Sequence, residues 1–437
     1  MGFVENIWWL LVLLGVMILI HELGHYWAAR YFDIRVDTFS FGFGPRLFGF
    51  RKGETDFRFS LILFGGYVRM AGEHPGDEED PRGFLAKPRW QRLIVVFAGP
   101  AMNIVLAVAL MTGLYMFRYP KLANADAPAT IGVVAANSAA EKAGVKEGDT
   151  IIQIENKKDP NWEDVLLAEV SNPNRELPVI LKRGDETVRV VVKPEADSRN
   201  GIGVAGWGEQ TEIEIASVRP GMDADKQGLK PGDVISSVNG HRIRTIAKLH
   251  EIIRGSEGKP VTIEYLRDGQ RRVATVTPTF SDADGGPPRY VIGVNLTPRM
   301  TYVRLGPVDA FRESIKQNIR GAGLIYQFLR NIIERRMSPK SIEGPIRIAQ
   351  LSTEAAREGP TSFITLMSTV SLNLAIFNLL PIPILDGGVI LLLLIEMVRR
   401  RDLSMPVKET FFKLGFVFLM MVVLFVLYND IVKTLPG

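Results

Sequence analysis

The chain has no cysteine among its 437 residues. That excludes disulfides, thiolate metal ligands and a cysteine nucleophile together, and leaves histidine, aspartate and glutamate as the side chains able to hold a metal ion. Histidine is itself scarce, at five. A surplus of charge of one sign is also missing: 52 Lys and Arg stand against 48 Asp and Glu, net +4, so nothing suggests a nucleic-acid partner. Charge is absent altogether from residues 93–117 and 361–385, two runs of 25 residues each.

With 46% hydrophobic and 23% charged residues, the chain is neither disordered nor fibrous. The uncharged runs are long enough to cross a bilayer. Residues 6–29 make a third such run, broken only by His21, Glu22 and His25, and residues 414–428 a fourth, following Lys413. Four spans are therefore predicted. The first is not expected to be a cleaved signal peptide, because Glu5 and no Lys or Arg precedes it. Residues 399–413 hold Arg399, Arg400, Arg401, Lys408 and Lys413 against Asp402 and Glu409, which predicts a cytoplasmic loop. Alternation then puts both termini and the segment after Phe117 outside, in a bacterium the periplasm.

Residues 118–360 lack a spanning run and contain a repeat. AEKAGVKEGDTIIQI (140–154) aligns with ADKQGLKPGDVISSV (224–238) at an offset of 84 residues. Each copy reads as a short helix ending at glycine, a Gly-Asp turn and an alternating strand. The two units, 118–200 and 201–300, resemble PDZ modules, which bind extended peptides by strand addition. A spacer or gating role without a ligand stands beside that reading. In the segment 301–360, Phe311, Ile315, Ile319, Ala322, Ile325, Leu329 and Ile332 predict an amphipathic helix, lying on the outer membrane surface or packing against other helices.

The polar group within the first run is HELGH, residues 21–25. On a helix, positions i and i+4 share a face, so His21 and His25 can converge on one ion while Glu22 sits about 100° around the helix, free to carry a proton. Ionisable groups in hydrocarbon are costly, on the order of 3 kcal/mol or more, and mark function. A catalytic zinc needs a third protein ligand. His74, His241 and His250 lie in the inner loop or the repeat, whereas Asp386 is the sole charge between residues 361 and 395. Helical rise places His21 ~21 Å from the outer edge and Asp386 ~15 Å from the inner edge of a ~30 Å core, at similar depth. Pro381 and Pro383 interrupt that second path and free backbone carbonyls for a protein-lined cavity.

These residues resemble the site-2 protease family of intramembrane zinc metalloproteases, of the regulator-of-sigma-E type. The similarity extends over FGFGP (41–45), GGYVRM (65–70), FAGPAMN (97–103) and NLLPIPILDGG (378–388). It implies Zn2+ held by His21, His25 and Asp386, with Glu22 as general base and acid and Asn378 on the substrate backbone. It implies a membrane re-entrant β-loop at residues 57–70, in which Arg58, Phe59, Ser60 and Leu61, together with position 43 (Phe43, between Gly42 and Gly44), would offer an edge to an unwound substrate. Substrate unwinding is expected there and around Pro381 and Pro383. One departure is visible: the LDGG run is usually followed by His in this group, and Val389 stands here. The implied partners are the lipid bilayer and single-span membrane proteins such as anti-sigma factors or remnant signal peptides, trimmed first by an upstream site-1-type protease. The implied location is the bacterial cytoplasmic membrane. The expected fold class is a polytopic α-helical membrane protein of four transmembrane helices, a re-entrant β-loop and two tandem PDZ-like α/β domains between helices 2 and 3. An ion transporter and a catalytically inactive PDZ-bearing adaptor are the rival readings; the first is disfavoured by the lack of a repeat among the spans.

Overall fold

The computed structural model describes residues 2–73, 80–125, 127–197, 201–281, 288–335, 337, 339 and 342–434; His74, named above, lies outside them. The chain divides into two compact units, one of residues 1–119, 304–329 and 342–437 and one of residues 120–303 and 330–341.

The first unit is built on helices. α1 (Gly2–Tyr31) and α2 (Arg89–Phe117) are joined by a long antiparallel hairpin of β1 (Val36–Lys52) and β2 (Thr55–Met70). Among the described residues, four helices are long and apolar enough to span a membrane: residues Val4–Tyr31, Arg89–Phe117, Pro360–Asn378 and Met405–Lys433. α1 meets α2 at Gly24, where an added Cβ would lie 2.3 Å from the Ala98 carbonyl oxygen; glycine is what lets the two backbones approach.

The predicted third span, residues 361–385, is a helix to Asn378 followed by the interruption expected at Pro381 and Pro383. Numbering the helices of the soluble insert α3 to α6 (Ala139–Lys142, Trp162–Ser171, Asp223–Lys226 and Ile246–Gly255) and the two that follow α7 (Pro307–Ile333) and α8 (Pro345–Glu358), the third span is α9 (Pro360–Asn378), and the shorter α10 (Asp386–Arg399) and then α11 (Met405–Thr434) follow the break. The proline pair explains the break, since Pro381 and Pro383 cannot donate into a helix ladder. α9 and α10 run antiparallel along α2. Ser368 donates to the Ala107 carbonyl (3.0 Å) and Ser371 to that of Asn103 (2.9 Å); Leu393 packs with Val95 and Val96, and Glu396 reaches Arg92 at 4.0 Å. The seven-residue break therefore falls at the level of Gly99.

β1 and β2 pair twice. Phe39 faces both Val68 and Phe57, Ser40 both Tyr67 and Arg58, and Phe41 both Gly66 and Phe59, while Phe48, Gly49 and Phe50 also face Phe59, Arg58 and Phe57. Residues 57–59 thus lie between two neighbours, and the open edges are residues 46–52 and 62–70. Leu47, Phe48, Phe50, Leu61 and Ile62 are exposed, an apolar surface suited to lipid.

The second unit contains two hydrophobic cores, one of residues between Ala129 and Trp207 and one between Ile213 and Ile292. Because Trp207 pairs with Val134, the boundary between modules lies near residue 210 and not at 200. The repeat is expressed as the same clamp twice. Asp149 and Asp233 are each 1% exposed. Each accepts two bonds from an arginine (Arg183, 2.8 and 2.7 Å; Arg267, 2.6 and 2.7 Å) that also donates to a helix-ending glycine carbonyl, Gly144 or Gly228, at 2.8 Å. The repeated motif is therefore a folding device: the helix-ending Gly144 and Gly228 take a left-handed φ (82° and 74°), and the aspartates of the Gly-Asp turn pair the guanidinium that clasps the glycine carbonyl.

Candidate metal centre

His21 and His25 lie one turn apart on the buried face of α1, 8% and 9% exposed, with their Nε2 atoms 3.2 Å from each other. Asp386 reaches both, Oδ2 at 3.2 Å from His21 Nε2 and Oδ1 at 3.6 Å from His25 Nε2. Among the described residues this is the one group of three histidine or carboxylate side chains able to share an ion. The separations match the chemistry. Ligands about 2.0–2.1 Å from a tetrahedral zinc lie ~3.3–3.4 Å from one another, so the 3.2–3.6 Å separations, in which Asp386 offers one carboxylate oxygen to each imidazole, are close to the edge lengths of such a tetrahedron, with one vertex left for water.

Local structure explains each placement. Gly99 of α2 faces both imidazoles, and a Cβ there would lie 2.3 Å from His25 Nε2 and 2.9 Å from His21 Cε1; the absence of a side chain makes the space. His25 Nδ1 bonds the Val95 carbonyl at 2.9 Å, which puts the ring proton on Nδ1 and leaves Nε2 as a lone-pair donor. Asp386 opens α10 two residues after Ile384, whose φ of 82° is strained for a β-branched residue. Gly387 and Gly388 admit the preceding loop: a Cβ would meet the Leu380 and Ile382 carbonyl oxygens at 2.1 and 2.4 Å. The LDGG run is thus a turn that folds the break over the first turn of α10.

Glu22 lies beside the cluster on the neighbouring face of α1, close enough to interact electrostatically with His25 and Asp386. Its Cγ lies against Gly66, where a Cβ would be 3.1 Å away, and it accepts from the Val68 backbone N–H. The carboxylate accordingly faces β2 while the imidazoles face α2 and α10.

The remaining sequence candidates do not join this cluster. Arg58 donates to the Tyr67 hydroxyl, Ser60 is fully buried and bonded to Ser40 at 2.9 Å, Phe59 stacks on Phe48 with centroids 4.7 Å apart, and Leu61 is exposed. The expected edge is corrected at Arg58 and Phe59, which with Phe57 are paired on both sides; Ser60 is paired on one side, with Arg46. Phe43 stacks on Tyr67 above Gly65, where a Cβ would strike its ring. Asn378 ends α9 and Pro381 and Pro383 follow in the break; Gly415 of α11 abuts Pro383. Val389 packs into the core between α1, α2 and α10 and, with Leu392, Met405 and Phe412, lines an apolar cavity of about 420 Å³. Val95, Gly99 and Asn103 went unread in the sequence, although the FAGPAMN run carries the last two.

Fold and site together define a multi-pass membrane metalloprotease. Residues 9–422 match the family model described as peptidase family M50, and the chain belongs to that family, the site-2 proteases, with zinc as its cofactor. Relatives agree over their full length. A Xylella fastidiosa protein named for zinc metalloprotease activity is 31% identical over 98% of this chain and 99% of its own. The Regulator of sigma-E protease RseP of Salmonella typhimurium and that of Escherichia coli are each 28% identical over 96% of this chain and 97% of theirs. Among solved structures, the PDZ domain of an SdrC-like protein from Listeria monocytogenes is 22% identical over 21% of this chain and 92% of its own, with a TM-score of 0.18.

Proposed function

We propose that this protease cuts peptide bonds within the transmembrane segments of single-span proteins already trimmed on their outer side, anti-sigma factors being the model substrates and remnant signal peptides a second class. The observation carrying this reading is the convergence of His21, His25 and Asp386 within spans that carry few other charges. His21, His25 and Asp386 hold the zinc; when bound, it supplies Lewis-acid polarisation of the scissile carbonyl and a nucleophile at neutral pH. Glu22 takes the proton from the attacking water and delivers it to the leaving amine. Asn378, at the mouth of the break, holds the substrate backbone.

A helical substrate must unwind before attack, and the reading puts its extended segment along residues 62–70, the open edge that faces Glu22, beside Phe43. The helix break at Pro381 and Pro383 supplies the non-helical wall opposite. The basic segment 399–413 lies on the cytoplasmic side, which puts both PDZ-like modules and both termini in the periplasm. Those modules serve as a size filter. In the first, Glu169 of α4 accepts from Ala205 N–H (2.6 Å) and Trp207 Nε1 (2.9 Å), and a Cβ at Gly203 would lie 2.2 Å from the Glu169 carbonyl oxygen. In the second, the space between α6 and residues 289–296 is about 30 Å³, room for a water or two and not a peptide strand.

The test is Glu22→Gln and Asp386→Asn in the full-length protein. Glu22→Gln should retain stoichiometric zinc and lose at least ~10²-fold in cleavage of a single-span substrate; Asp386→Asn should lose zinc as well. Cleavage at the wild-type rate by Glu22→Gln would refute the proton-carrier role, and a wild-type protein that neither cleaves the substrate nor holds zinc would favour the adaptor reading.

A further inference from the structure

We infer that Asn103 of α2 is the positioning residue for His21: its side-chain oxygen accepts the Nδ1 proton and so presents the Nε2 lone pair to the metal. The inference deepens the site proposed above and rests on His21 being a ligand. A metal-bound neutral imidazole carries its proton on the other ring nitrogen and donates it to an acceptor that fixes tautomer and ring plane. For His25 that acceptor is the Val95 carbonyl. For His21 the group in reach is the Asn103 amide, 3.2 Å from Nδ1.

Asn103 is fully buried. As placed, its Nδ2 faces the ring, and its Oδ1 is buried with no hydrogen-bond partner among the described residues. A donor facing Nδ1 would force the ring proton onto Nε2, against Asp386 and His25 and against metal binding. Rotating the amide by 180° exchanges its two ends in the same volume. The orphaned oxygen then meets Nδ1–H, and Nε2 is left bare. The backbone is pinned for this task, because the Asn103 carbonyl accepts from Ser371 of α9 at 2.9 Å. Val95, Gly99 and Asn103 recur every four residues on one face of α2, so a single helical stripe orients one imidazole, leaves room for both and orients the other.

Zinc retention by purified full-length protein in detergent, titrated with a chelator, tests this without reference to activity. Asn103→Leu should bind zinc ~10–100-fold more weakly. Asn103→Asp, which keeps an acceptor at the same place, should hold zinc within a few-fold of wild type, and Ser371→Ala, which loosens the α2–α9 contact without altering the amide, should do the same. Wild-type retention by Asn103→Leu, or equal losses in Asn103→Leu and Asn103→Asp, would overturn the inference. His21→Ala separates the two levels: its failure to lose zinc would refute the metal site itself, whereas loss in His21→Ala with none in Asn103→Leu refutes only the role of Asn103.

Discussion

At the scale of single residues, the proposed metal centre depends as much on side chains that are absent as on those proposed to bind. Gly99 has no Cβ, and the space so left is occupied by His25 Nε2 and His21 Cε1. Gly99→Ala should therefore displace both rings and reduce zinc content well below one per chain by metal analysis, while the helical circular dichroism stays at the wild-type level. The Asp149 clamp makes a contrasting prediction far from any chemistry. Its carboxylate is buried and satisfies Arg183 and the Lys146 N–H together. Removing it in Asp149→Ala should cost on the order of 1–3 kcal/mol, the penalty of leaving buried polar groups unpaired, read as a lower melting temperature with zinc affinity unchanged. The burial of Glu169 pushes its carboxyl up, against the opposing N–H groups of Ala205 and Trp207. A carboxyl whose folded pKa lies above its unfolded value contributes stability that is complete below the ordinary glutamate range and is lost as pH rises through the folded pKa. The first module, followed by Trp207 fluorescence, should lose stability on that rise, and Glu169→Gln should flatten the profile.

At the scale of elements, what the sequence disclosed and what it withheld divide along covalent distance. HELGH is legible because one helix fixes the spacing of its own residues. Asp386 is legible because a single carboxylate in an apolar run needs a partner. The stripe of Val95, Gly99 and Asn103 is not legible, since its meaning comes from which face of α2 meets α1, and nothing in the FAGPAMN run specifies that face. The two prolines signalled the interruption at residues 379–385, but not the residues at which α9 ends and α10 begins. The double pairing of β1 with β2 was hidden for a related reason: alternation shows which residues share a face but not which neighbours flank the strand. Trp207 belongs to the first module by pairing with Val134, 73 positions away in sequence, a contact that no repeat boundary could announce. Because Gly387 lies under the Leu379 and Leu380 carbonyls, Gly387→Ala should push Asp386 out of register with α1 and lower zinc content, an element-level lesion that acts without touching a ligand.

At the scale of the molecule, each unit has its own logic. The helical unit concentrates its few intramembrane polar groups at one level of α1, α2 and α10. The other unit repeats one module twice, each closed by its own Asp–Arg clamp. The central claim is that two nitrogens of α1 and one oxygen of α10 hold one zinc. Metal analysis combined with X-ray absorption at the zinc edge, on full-length protein in detergent, tests it most directly. The account predicts one zinc per chain with only nitrogen and oxygen neighbours at about 2.0–2.2 Å, the multiple-scattering signature of two imidazoles, and loss of the bound metal in Asp386→Ala; fewer than two imidazoles, or full zinc occupancy in Asp386→Ala, would contradict it.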